Sequence, residues 1–360
     1  MLSPAPRETT SSADDATDAP HDTTSTRDAP FLLDHWHILL DAARLGTRPM
    51  TVTRFGQQLV LWRDADGRPV AQDARCPHRG ADLGLGRVVD GALECPYHGF
   101  RFAPEGHCVR VPCAGKHARI RKDLVTRRHE VREARGFLWI FWGAPRDTYP
   151  PLPWFDAMPE DTRRSATITL TWDVPFARVV EGNLDLHHFP FAHRHFAHGM
   201  GHLLDPYDVR VDGPVVHTRG VLRKDDGTPH DGKKGMAFQL SMHFPGILFA
   251  DFGMRVRGIG GITPIDEGNT LVVFRYHVDV PILGGLLAWL SLLVDGHLVQ
   301  RDDHRMLRAS TPARHDLRQY KLVHADAGIA AWHKLYRRAL RAQAAASLTA
   351  GKRALPLIQA

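Results

Sequence analysis

The chain has 360 residues, 43% of them hydrophobic and 24% charged, with a formal charge of +6. That balance supports a packed core over about two ordinary domains and excludes a low-complexity chain. Four cysteines in this length exclude a secreted disulfide framework and point to a reducing, cytoplasmic compartment.

The first thirty residues, rich in Ser, Thr, Asp, Ala and Pro, hold two arginines against six acidic residues. They lack the apolar run of a signal peptide and read as a disordered leader. The remaining body is basic, but no Lys/Arg stripe with interleaved aromatics marks a nucleic-acid surface. An acidic protein partner, steered to its encounter, is the better use of that charge.

Residues 31–150 read as a small all-β domain. TVTRFGQQLVLWRDADGRPVAQDAR alternates apolar and polar residues and turns at Asp64-Ala65-Asp66-Gly67. HEVREARGFLWIFWG repeats the pattern, and two Pro/Gly-punctuated loops lie between. The proline-dense APRDTYPPLPWFDAMPED then reads as a linker.

Residues 151–360 read as a second domain of mixed type. Strand text resumes at SATITLTWDV, a helical patch covers Arg178 to Phe191, and four further strands follow. Helices are expected near 284–310 and 324–347, the latter amphipathic. The apolar run Pro281 to Val294 is too short to span a bilayer, which takes about 20 residues, and reads as a buried or interfacial helix. KDDGTPHDGKKG, residues 224–235, is a polar loop suited to a lid. The fold class expected is α+β, an all-β domain followed by an antiparallel sheet with flanking helices of helix-grip type.

Each of the two loops in the first domain carries one cysteine and one histidine. The frame is Cys76-x-His78, sixteen residues, then Cys95-x2-His98. Structural zinc sites pair cysteines with cysteines and histidines with histidines, whereas here each arm mixes the two. Mixed arms are the arrangement of a Rieske [2Fe–2S] centre, with two cysteines on one iron and two histidines on the other. Pro77, Gly80, Pro96 and Gly99 suit tight turns around the ligands. A zinc knuckle and plain coincidence are the rival readings, and the spacing argues against both. Cys108 and Cys113 have no histidine at ligand spacing and read as buried, inert thiols.

A second cluster, EGNLDLHHFPFAHRHFAH, spans residues 181–198 and contains Asp185-x2-His188-x4-His193. Two histidines on one short element, with a carboxylate from elsewhere, make a facial triad that leaves positions open on Fe(II). His188 and His193 are the candidate ligands. Asp185 is better placed to orient one of them from behind. With 23 histidines in the chain, His187, His195, His198 and His202 stand near enough to substitute.

Together these motifs resemble the α-subunit of the Rieske non-haem iron oxygenases, over about Trp36 to His333. CPHRGADLGLG and CPYHGFRF look like that family's cluster loops, and NLDLHHFPFAH like its iron motif. The resemblance implies a third iron ligand from a late helix. QRDDHRMLRAS fits, with Asp303 aligning better and Asp302 open as the alternative. It also implies a ring assembly, usually a trimer, in which Asp185 bridges His98 of one subunit to His188 of the next. Two positions depart from the family pattern: Gly182 where Asn is frequent, and Phe100 where Trp commonly follows the second loop.

The expected activity is an oxygenase component using O2 and electrons from NAD(P)H. No G-x-G-x-x-G fingerprint appears in the chain, so a separate reductase, with or without a ferredoxin, is expected to supply them. Apolar strands and a Leu/Trp-rich helix suit a hydrophobic, ring-containing substrate, and monooxygenation is the favoured reaction. The rivals are cis-dihydroxylation, demethylation, desaturation or cyclisation on the same iron chemistry, and a non-enzyme Rieske electron carrier with a ligand-binding domain.

Overall fold

A computed structural model describes residues 31–197, 199–229, 235–253, 255–311 and 320–353. The acidic leader over residues 1–30, His198 and the 230–234 part of the polar loop lie outside the described residues.

Ten strands fill the first part: β1 (His35–Asp41), β2 (Met50–Arg54), β3 (Gln57–Arg63), β4 (Pro69–Asp73), β5 (Arg87–Val89), β6 (Ala92–Glu94), β7 (Arg101–Phe102), β8 (Cys108–Arg110), β9 (Arg128–Ala134) and β10 (Phe137–Trp142). Six of them form an antiparallel sheet ordered β1-β10-β9-β4-β3-β2. The short strands β5 to β8 form a separate four-stranded meander that carries the cluster loops. Alternate side chains of a strand point to opposite faces. In β3, Leu59 and Leu61 therefore enter one core while Val60 and Trp62 enter another, beneath the two loop cysteines.

The second part starts with β11 (Ser165–Trp172), followed by the helical segments α1 (Phe176–Leu184), α2 (Phe189–Ala192) and α3 (Arg194–Ala197). Strands β12 (Leu203–Asp212), β13 (Val215–Arg223), β14 (Met236–His243), β15 (Ile247–Asp251), β16 (Val256–Pro264) and β17 (Thr270–Val278) come next. With β11 they make a seven-stranded antiparallel sheet ordered β11-β17-β16-β15-β14-β13-β12. Helices α4 (Gly284–Val294), α5 (Gln300–Ala309) and α6 (Ala327–Arg353) close the fold, and a π-helical turn over Asp295–Val299 joins α4 to α5. The expected α+β class is what the chain adopts. Ile329 and Trp332 of α6 and Val179 and Val180 of α1 share one core with Leu240, Val272 and Phe274 of the sheet.

The two parts meet through β10. Its run FLWIFW is buried at every position, a continuous apolar run where the sequence reading expected alternation. The cause is burial on both faces. Leu138, Ile140 and Trp142 fill the six-stranded core, while Phe137, Trp139 and Phe141 pack against Ile247, Phe249, Ile259 and Val273 of the larger sheet. Arg275 ties the contact, donating to the carbonyls of Arg135 (2.6 Å) and Gly136 (3.0 Å) across the ring of Phe137.

The proline-dense segment is not a free linker. Tyr149, Leu152, Trp154 and Phe155 pack on the interface core and Met158 is buried in it. Trp36 Nε1 donates to Pro150 O at 2.8 Å. Prolines hold the chain extended while its large apolar residues seal the seam, so it acts as a strap. The apolar run from Pro281 is not a fully buried helix: Leu286, Trp289 and Leu290 of α4 are about half exposed and Ala288 is buried. Among the described residues no helix is long and apolar enough to cross a membrane.

Candidate metal centres and active site

The two cluster loops share one local design. Gly80 N donates to Cys76 O (2.8 Å), and Gly99 N donates to Cys95 O (3.0 Å). Cys76 N and Cys95 N donate to Ala81 O and Phe100 O at 2.9 and 2.8 Å. Both glycines have φ near +70°, which only glycine adopts without strain, so the turns close tightly behind each cysteine. Cys76 and Cys95 are buried side by side, and the His78 and His98 rings lie outside them, 4.6 Å apart. Phe100 stacks on His78 at 4.5 Å, so it supports a cluster-loop histidine from the position where the family commonly has Trp.

Two buried thiols backed by two surface imidazoles are the donor set a mixed-ligand [2Fe–2S] cluster needs, and the residues fit it. Burial, with the neighbouring Cys95 thiol, pushes the Cys76 thiol up to about 11. Bound iron would displace such a proton. Of the other thiols, Cys108 is buried as expected, but Cys113 is exposed on a turn after β8 and does not belong to the core.

The second centre is assembled at the break between α1 and α2. Asp185 ends α1 in an extended conformation, and its Oδ1 accepts from the backbone N of His188 at 3.1 Å. α2 then starts at Phe189 with Pro190 in its first turn, and it carries His193 into complete burial. Across from them stands α5, whose phase is shifted by the π-helical turn before it; such turns are frequent at functional sites. Ligand-capable atoms of His188, His193 and Asp303 all lie within 4.8 Å of one another. Asp303 Oδ1 is 3.0 Å from His193 Nε2 and 3.3 Å from His188 Nε2. Asp302 Oδ2 instead lies 3.5 Å from the other nitrogen of His193, Nδ1. Asp185 Oδ1 lies 3.6 Å from His188 Nδ1, behind the ring.

Burial opposes charge on His188, yet Asp185 and Asp303 outweigh it and raise the imidazole to about 10. Two imidazoles and a carboxylate converging on one point could hold a divalent metal with further positions open. The alternative histidines that lie among the described residues are not gathered there. His187 turns to Asp326 at 3.1 Å, and His195 and His202 are exposed.

Sequence reasoning missed a buried polar cluster behind this centre. Glu181 accepts from Arg178 at 2.5 Å and lies 2.7 Å from His333 Nε2; Arg178 also donates to Tyr320 at 2.8 Å. These partners lie up to 152 residues apart. An acid at the fourth position before Asp185, inside a buried helix, was the one local signal. Gly182 has a packing reason: a Cβ there would stand 2.8 Å from Leu307 Cδ1 of α5. A larger residue there would require Leu307, on the helix bearing Asp303, to shift.

Two cavities open on the His188–Asp303 pair. One, of about 280 Å³, lies on the side of Arg178, Tyr320 and Met306. The other, of about 90 Å³, contains all three triad side chains and runs between the helices and the sheet under Leu240, Leu248, Phe252 and Phe274. A larger cavity of about 360 Å³ sits between Phe55, Phe176 and Tyr336 and touches none of these side chains. The chemistry of the lining decides here, and the smaller cavity carries the site.

Comparison with known proteins agrees with this layout. Residues 35–127 match the Rieske [2Fe–2S] domain, and residues 172–342 match the vanillate O-demethylase oxygenase C-terminal domain. Aminopyrrolnitrin oxygenase PrnD of Pseudomonas fluorescens is 30% identical over 280 residues, covering 70% of this chain and 76% of that protein. The 3-chlorobenzoate-3,4-dioxygenase oxygenase subunit of Comamonas testosteroni is 32% identical over 193 residues, 53% of this chain but only 43% of that protein. The crystal structure of dicamba monooxygenase bound to dicamba superposes with a TM-score of 0.72 at 22% identity, covering 88% of this chain and 99% of that one, which shows a shared fold.

The fold and the two clusters define an oxidoreductase with a Rieske domain ahead of a helix-and-sheet catalytic domain. The chain belongs to the Rieske non-haem iron oxygenases. Membership implies a Rieske [2Fe–2S] cluster and a mononuclear iron; O2 as co-substrate and NAD(P)H electrons through a reductase are typical of the family. Proteins of this family typically act with ferredoxin or reductase partners and form oligomers.

Proposed function

We propose that this chain is the oxygenase component of a system that monooxygenates a hydrophobic, ring-containing metabolite. In this reading residues 31–150 carry the cluster on Cys76, His78, Cys95 and His98, and residues 151–360 carry iron on His188, His193 and Asp303. The observation that supports it most is the convergence of those last three side chains on the floor of an apolar cavity.

The iron, when bound, supplies O2 activation. The chain's own residues do the rest. His193, wholly buried, and His188, backed by Asp185, present two fixed nitrogens to one side, with Asp303 between them. Leu240, Leu248, Phe252 and Phe274 exclude water and hold an apolar ring above them. Insertion of one oxygen atom also accommodates demethylation, the reaction named in the C-terminal domain match.

A homotrimer is the assembly this reading favours. The residues lining both cavities at His188 come from position 178 onward, none from the cluster half. Delivery of electrons from a neighbouring chain, with Asp185 between His98 of one copy and His188 of the next, suits that separation. Four unpaired thiols suit a cytoplasmic setting.

The test is iron and acid-labile sulfide on anaerobically purified protein, followed by turnover under ¹⁸O2. About three irons to two sulfides per chain and one labelled atom in the product are expected. Two irons to two sulfides, unchanged by added Fe(II), would leave an electron carrier, and two labelled atoms would make it a dioxygenase.

A further inference from the structure

The apolar cavity over the triad has one wall that is not apolar. Asp295, the first residue of the π-helical turn between α4 and α5, lines it and is only 5% exposed. Its Oδ1 accepts a long hydrogen bond from Gln300 Nε2 at 3.3 Å. Its Oδ2 is buried and accepts none among the described residues. The Tyr276 hydroxyl also interacts with this carboxylate, and burial together with the Asp295 charge drives that phenol well above its ordinary range. A buried carboxylate with an open lone pair is expensive to leave unmatched. The rest of the wall is mostly Leu, Ala, Val and Phe, with Asn183, Tyr276 and Gln300 as its neutral polar members.

The charge around the cavity indicates what matches it. Asp185, Asp295 and Asp303 line it, and no Lys or Arg does. A divalent metal offsets two of those three carboxylates, leaving an excess negative charge at low local dielectric. A substrate carboxylate or phosphate would meet repulsion and no fixed cation. An amine supplies both the donor that Oδ2 lacks and the compensating charge.

Resting on the oxygenase reading of this cavity, we infer that Asp295 is its specificity-determining residue. Oδ2 accepts an N–H from an amine-bearing ring and so orients the ring over the triad, and the pocket rejects carboxylate-bearing rings of the same size. Burial, only partly offset by Gln300 and Tyr276, pushes the Asp295 carboxyl up to about 6.

The experiment is calorimetric titration of the iron-loaded protein with 1-aminoindane, indane and indane-1-carboxylate. The amine is expected to bind about tenfold or more tighter than indane, and the carboxylate weakest. Asp295→Asn, which keeps the volume, should bring amine and indane to within about threefold. Asp295→Leu should do the same and tighten indane itself. Melting curves on both variants separate loss of the anchor from loss of the fold. Overturning results are an amine that binds no tighter than indane, or not at all, and a preference that persists in Asp295→Asn. Iron content and reductant-driven O2 uptake are read on the same preparation. A protein that holds the amine through Asp295 yet takes up no O2 overturns the oxygenase reading and leaves this one standing.

Discussion

Oδ1 of Asp303 stands 3.0 Å from Nε2 of His193. That one contact separates two adjacent acids that the sequence alone left as alternatives. Asp302 faces the opposite nitrogen of the same ring, at 3.5 Å, where a carboxylate would orient the imidazole from behind and leave the metal to Asp303. Asp303→Ala should lose one iron per chain while the reduced Rieske EPR signal stays intact. Asp302→Ala should keep that iron and lose about tenfold to a hundredfold in Fe(II) affinity. Iron-to-sulfide ratios under graded Fe(II) decide between them, and the reverse pattern would exchange their roles.

Asp185 braces His188 from behind and caps the turn that presents it. Asp185→Asn keeps the cap, since an amide oxygen still accepts from the His188 backbone, but removes the charge. The expected result is bound iron with turnover slowed at least about tenfold. In the assembly proposed above the loss falls on electron delivery. It is read as slowed reoxidation of the pre-reduced cluster when substrate and O2 are added together. Unchanged reoxidation with weakened iron binding would confine Asp185 to holding His188.

Chains disabled at different centres should rescue one another if the cluster of one copy serves the iron of the next. Cys76→Ser and His188→Ala proteins are each expected to be inactive alone. Dissociated and reassembled together, they should regain measurable turnover, since some interfaces then pair an intact cluster with an intact iron. A mixture that stays inactive while forming mixed oligomers would show that electrons travel within one chain.

What the sequence made legible was local. The two cluster loops put ligand, proline and glycine within five residues of one another, and the structure repeats their turn almost atom for atom. His188 and His193 belong to one short element and could be read the same way. Asp303 comes from an element more than a hundred residues later and was reached through resemblance alone. Glu181 offered only an acid inside a buried helix, because the His333 that completes its cluster reaches it only in the folded state, and Asp295 had no local signature. The strap over residues 144–161 was misread because proline spacing outweighed Tyr149, Leu152, Trp154 and Phe155, whose partners lie on another sheet. β10 looked like a half-exposed strand for the same reason, since its second covering surface comes from the other half of the chain.

Gly182 tests how closely α1 and α5 must approach. Its missing Cβ leaves room for Leu307, whose Cδ1 would otherwise be met at 2.8 Å. Gly182→Asn, which restores the residue frequent in the family, should destabilise the fold by about 1–3 kcal/mol through overpacking. The strain should be relieved in Gly182→Asn/Leu307→Ala, giving a coupling of about 1 kcal/mol or more in denaturant unfolding. Additive single effects would mean that the helices already have slack.

His37 offers a prediction on acid stability away from either metal centre. It lies on β1 against Phe55, almost wholly buried, and neither ring nitrogen has a hydrogen-bond partner among the described residues. Burial, reinforced by His35, pushes the imidazole down to about 3, and burial pushes His35 down to about 4 although Asp34 opposes it. Both are neutral in the folded chain at pH values where the unfolded chain takes up protons, that is, below about 6.5. The unfolded state then binds more protons, so stability is full above that value and falls as pH drops toward 4. The slope is up to about 1.4 kcal/mol per pH unit for each histidine. His37→Phe keeps the aromatic contact with Phe55 and removes two unmatched polar atoms. It should be as stable as the parent or up to about 1 kcal/mol more stable at pH 7.5, and distinctly more stable at pH 5. Thermal melts of both proteins across that range measure the difference. A gap that does not widen on acidification would mean that His37 finds a partner for its proton in the folded state.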